Sequence, residues 1–75
     1  MKEIFVATGT VTYAMRAREI LAKNGVFADV KKWNDKSGKY GCGYGVRLRK
    51  ENIAEIRDLL LENGVKVIDI IVLKG

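Results

Sequence analysis

Ala17-Arg18-Glu19-Ile20-Leu21-Ala22-Lys23-Asn24-Gly25-Val26 returns, in altered form, as Ile56-Arg57-Asp58-Leu59-Leu60-Leu61-Glu62-Asn63-Gly64-Val65. Each copy reads as the end of an amphipathic helix. Each closes on Asn-Gly, and glycine suits the left-handed position just past a helix C-terminus. An extended run follows each copy: Phe27-Ala28-Asp29-Val30-Lys31-Lys32-Trp33 after the first, and Lys66-Val67-Ile68-Asp69-Ile70-Ile71-Val72-Leu73 after the second.

The pattern extends upstream of both copies. The first helix is expected from about Thr12 to Asn24, with Tyr13, Ala17, Ile20 and Leu21 on one stripe. The second is expected from about Glu51 to Asn63, with Ile53, Ile56, Leu59 and Leu60. A strand precedes each helix, Glu3 to Thr8 and then Cys42 to Arg49. The second of these alternates, with Cys42, Tyr44, Val46 and Leu48 on one face and Gly43, Gly45, Arg47 and Arg49 on the other. The order is βαβ twice over. The expected fold class is α+β: a ferredoxin-like βαββαβ sandwich, with a four-stranded antiparallel sheet and two helices on one face. A chain of 75 residues makes one such domain, spanning 1–75, with a thin core. Strands 1 and 4 are apolar on both faces, so the sheet face away from the helices has room for a homodimer contact or for a covering side chain.

Composition removes several kinds of chemistry. The chain has one cysteine, no histidine and no proline. A single cysteine forms no internal disulfide. Without histidine there is no His general base and no Cys-His nucleophile pair, and one cysteine cannot complete a zinc or soft-metal site. Neither a metal nor a cofactor is expected. The net charge of +5 comes from basic residues scattered in ones and twos, not from a dense stripe. Strand 3 offers Tyr44 alone where an RNA-recognition sheet carries paired aromatics, which argues against nucleic acid. No apolar run is long enough to span a bilayer, and no signal-peptide pattern opens the chain, so a cytoplasmic location is the expectation.

The one cysteine lies in a glycine cluster, Gly38-Lys39-Tyr40-Gly41-Cys42-Gly43-Tyr44-Gly45. In the expected topology Cys42 opens strand 3, the neighbour of strand 1. It should therefore lie near Thr8-Gly9-Thr10-Val11-Thr12, the turn into helix 1. The first amides of a helix lack internal partners and favour an anion, including a thiolate. Thr10 or Thr12 is the expected N-cap, and Gly9 belongs to the same turn. Lys36 and Lys39 bring positive charge from the adjacent loop. Gly41 and Gly43 leave a sulfur accessible. This is a way to activate a thiol without histidine. The other reading is that Cys42 is a small core residue beside Val46 and Leu48, with Gly43 and Gly45 marking a bulge or a close backbone approach. Spacing alone leaves both open. Trp33 and Tyr40 flank the hairpin and read as packing for its base.

The residues also carry a family resemblance over nearly the whole chain. An opening strand runs into a Thr-containing turn, Phe5-Val6-Ala7-Thr8-Gly9-Thr10. A helix of the form Ala-Met-x-Ala-x-x-x-Leu follows, at Ala14 to Leu21. A Gly-Cys-Gly segment then leads into a strand, Gly41-Cys42-Gly43-Tyr44-Gly45-Val46-Arg47-Leu48. With these the chain resembles the small bacterial family described as selenium/sulfur carrier protein-like, a domain of unknown function. The resemblance implies that Cys42 carries sulfur or selenium as a persulfide or selenopersulfide and passes it on. That makes the protein a carrier in sulfur transfer more than a turnover enzyme. Its implied partners are a cysteine desulfurase-type donor and an acceptor protein. The competing class is a small ferredoxin-like binding module, for RNA or a partner protein, in which the cysteine is structural.

Overall fold

The computed structural model describes residues 2–34, 42–50 and 52–74. Its elements are β1 (Lys2–Gly9), α1 (Val11–Lys23), β2 (Ala28–Asn34), β3 (Cys42–Lys50), α2 (Ile53–Glu62) and β4 (Asp69–Lys74). The strands form one antiparallel sheet in the order β2-β3-β1-β4. This is the ferredoxin-like arrangement that the duplicated βαβ pattern predicts.

The repeat is visible in the hydrogen bonds as well as in the residues. At the end of α1, Val26 N donates to Leu21 O at 2.8 Å and Gly25 N to Ala22 O at 3.1 Å. At the end of α2, Val65 N donates to Leu60 O at 2.9 Å and Gly64 N to Leu61 O at 3.1 Å. The paired bonds are a Schellman motif, closed in each case by a glycine at positive φ. The cap asparagines match too: Asn24 Nδ2 donates to Ile20 O, and Asn63 Nδ2 to Leu59 O. The valine after each glycine is thereby turned inward, so Val65 is fully buried and Val26 packs at the edge of the core.

The core lies between one face of the sheet and the helices. Ile4 and Val6 of β1 and Val46 and Leu48 of β3 meet Ala14, Ala17 and Leu21 of α1 and Ile56 and Leu60 of α2. The α2 stripe is as expected, with Ile53 and Leu59 at its margins. The α1 stripe is rotated by about one residue: Ala14 is buried and Tyr13 is exposed. The small Ala14 and Ala17 let the α1 backbone approach the sheet, where a tyrosine does not fit. β4 begins at Asp69, later than the extended run from Lys66 suggests. Residues 65–68 form an irregular approach, with Ile68 N bonded to Ala7 O at 2.8 Å. No helix is long and apolar enough to cross a membrane.

The far face of the sheet is less open than its apolar residues suggest. On β1, Glu3, Phe5 and Ala7 alternate with the core residues and are nonetheless buried. The Phe5 ring lies over Gly45 of β3, filling the space that a side chain there would occupy.

Candidate functional site

The residues singled out around the cysteine fall in three groups. Cys42 is the first residue of β3 and pairs with Asn34, the last residue of β2. Gly9, Thr10, Thr12 and Gly43 are described. Gly41, Lys36 and Lys39 lie outside the described residues, as do Tyr40 and the side chains of Cys42 and Trp33.

β1 and β3 pair in regular register from Lys2↔Lys50 to Ala7↔Gly45 and then shift, so that Gly9 stands opposite Tyr44. The shift is a bulge in β1 with Thr8 as its extra residue. Thr8 is almost wholly buried, and its Oγ1 donates to Tyr44 O at 3.1 Å. That bond pins the last residues of β1 to the opening of β3. Gly9 then turns at φ 96°, a backbone conformation that favours glycine. The two chains come close enough that a Cβ on Gly43 would stand 3.0 Å from Gly9 O. The close backbone approach anticipated for Gly43 and Gly45 is therefore present at both. At Gly45 a Cβ would run into Val6 O and the Phe5 ring.

Helix α1 starts from this junction. Thr10 is the N-cap: its Oγ1 accepts from Tyr13 N at 3.2 Å, and its carbonyl accepts from Ala14 N at 3.0 Å. The amides of Val11 and Thr12 precede any intrahelical acceptor. Thr12 is not the cap. It is exposed in the first turn and shares a surface groove with Met15, Arg16 and Glu19. The structure thus brings Gly9, Thr10 and Gly43 to one end of the sheet, one residue from Cys42, while Thr12 faces solvent.

Two further features were not singled out from sequence. Tyr44 packs against the helix-side core, so it contributes nothing to the open sheet face. At the opposite end of the sheet, Glu3 is buried beneath two arginines, ion-paired to Arg47 and 3.9 Å from Arg49. A groove runs past these residues to Phe27, which is 93% exposed. Glu3 stands directly opposite Arg49, and Asp29 opposite Arg47, so acids and bases alternate across three strands. Period-2 alternation in Arg47 and Arg49 was legible, but their partner on β1 needed the register. Comparison with family models, with curated proteins and with solved structures finds no match to this chain.

Proposed function

We propose that the protein is a cytoplasmic carrier of sulfane sulfur or selenium, with Cys42 as the carrying thiol. The observation that supports this reading is the bare-backbone junction beside it, where the side-chain site of Gly43 comes within 3.0 Å of Gly9 O. The junction adjoins the N-terminus of α1, capped by Thr10. A helix N-terminus is a source of partial positive charge without histidine, which the chain lacks. Lys36 and Lys39, between β2 and β3 in sequence, add charge to the same end of the sheet.

The chemistry is thiol exchange. The Cys42 thiolate attacks the terminal chalcogen of a donor persulfide, of the kind a cysteine desulfurase forms. The new bond joins Cys42 sulfur to that atom, the donor's sulfur–chalcogen bond breaks, and the donor leaves as a thiolate. Transfer to an acceptor thiolate repeats the step in reverse. Each exchange is isoelectronic and needs no external oxidant or reductant. Glycine on both sides of Cys42 gives a partner's sulfur a clear approach.

The test is the alkylation rate of Cys42 against pH. The reading expects a midpoint clearly below the ordinary thiol value of about 8.5. A midpoint at that value, with a slow maximal rate, points instead to a structural cysteine and to the binding-module class.

A further inference from the structure

β4 is an edge of the sheet, and the backbone shows which of its residues face outward. Val6 O lies against Gly45 of β3, whereas Ala7 O accepts from Ile68 N on the β4 side. Backbone groups alternate along a strand, so Phe5 and Ala7 serve β4 while Ile4 and Val6 serve β3. Ile71, opposite Phe5, therefore turns its N–H and C=O toward β1. Ile70 and Val72, opposite Val6 and Ile4, turn theirs to the free edge. The Ile70 amide is already taken, donating to Asp69 Oδ1 at 2.8 Å. Val72 keeps both groups available to another strand.

Exposed apolar side chains gather at the same edge. Val72 is 52% exposed and Leu73 46% exposed. Leu61 and Ile68, also exposed, flank them along a groove between α2 and β4. An apolar edge strand with free backbone groups is a template for pairing.

We propose that β4 pairs antiparallel with β4 of a second copy of this chain, about a two-fold axis at Val72. Two observations favour a second copy over an unrelated peptide. With the Ile70 amide capped by Asp69, the free stretch is centred on one residue. A two-fold contact needs only that residue, donating to and accepting from its own copy, whereas an added peptide needs free amides along the whole strand. The strand also begins with Asp69 and ends with Lys74. Antiparallel self-pairing sets the acidic end of each strand beside the basic end of the other, and does so twice. The contact is independent of Cys42, which opens a strand on the far side of β1.

Sedimentation equilibrium of the full chain in reductant, which removes any Cys42 disulfide dimer, tests this. The wild type should dimerise reversibly. Val72→Pro should raise the dissociation constant by more than about tenfold. It should leave helix content and melting unchanged, because an outward-facing edge amide gives no ladder bond to β1. Val72→Lys, which sets two like charges at the axis, should do the same and carries the test if the proline variant does not fold. A monomer at concentrations up to about 1 mM overturns the proposal. So does a dimer whose constant neither folded variant shifts by that much.

Discussion

Gly43 and Gly9 touch through bare backbone: a Cβ on Gly43 would stand 3.0 Å from the carbonyl oxygen of Gly9. This contact ties the opening of β3 to the turn that launches α1. It sits one residue from Cys42, so a change there is felt by the strand end that carries the thiol.

Gly43→Ala should therefore do two things. Its methyl group meets a backbone atom that gives way only by moving the turn, at an expected cost of about 1 kcal/mol in urea unfolding. It should also slow alkylation of Cys42, because the strand end is pushed from the α1 N-terminus. An unchanged alkylation rate in a destabilised variant would separate the thiol from the turn.

Thr10→Ala removes the hydroxyl that accepts from Tyr13 N. Loss of an N-cap costs about 1 kcal/mol. Thr12→Ala should be nearly neutral, since Thr12 is exposed and caps nothing. Thermal melts of the two variants side by side check the assignment, and equal melting temperatures would reverse it.

Gly45→Ala should be the most damaging of the glycine changes. The added methyl meets both Val6 O and the Phe5 ring. A loss of about 2–3 kcal/mol is expected from this overpacking. Phe5→Leu in the same chain should relieve only part of it, because the Val6 carbonyl stays in place. Full rescue in a double-mutant cycle would mean that the ring alone sets the limit.

Glu3→Gln tests the ion pair on the far face. Glu3 is buried but Arg47 is half exposed, so solvent screens the interaction. The expected loss is about 0.5–1 kcal/mol, shrinking as salt is added. A larger, salt-independent loss would mark Glu3 as a packing residue first.

The fold was legible because it is written twice. Each copy of the Asn-Gly-Val ending carries its own Schellman motif and its own asparagine cap, so local chemistry and tertiary burial agree at Val26 and Val65. The α1 stripe was misread at Tyr13 because a periodicity count weighs tyrosine above alanine, while the close helix–sheet approach prefers Ala14. The neighbourhood of the site followed from topology, since antiparallel β1 and β3 bring Gly9 and Gly43 together. The bulge at Thr8 did not follow. It depends on a buried hydroxyl bonding across strands to Tyr44 O, and nothing in a Thr-Gly-Thr turn announces that. The Glu3–Arg47 pair was likewise hidden, because it exists only once the register sets β1 against β3.

The most direct test of the carrier role is the intact mass of the protein isolated without reductant and then exposed to a persulfide donor. The account predicts a gain of one sulfur or selenium atom, lost on reduction and absent in Cys42→Ser. A mass that stays at the bare polypeptide value, with Cys42 demonstrably reduced, would contradict it.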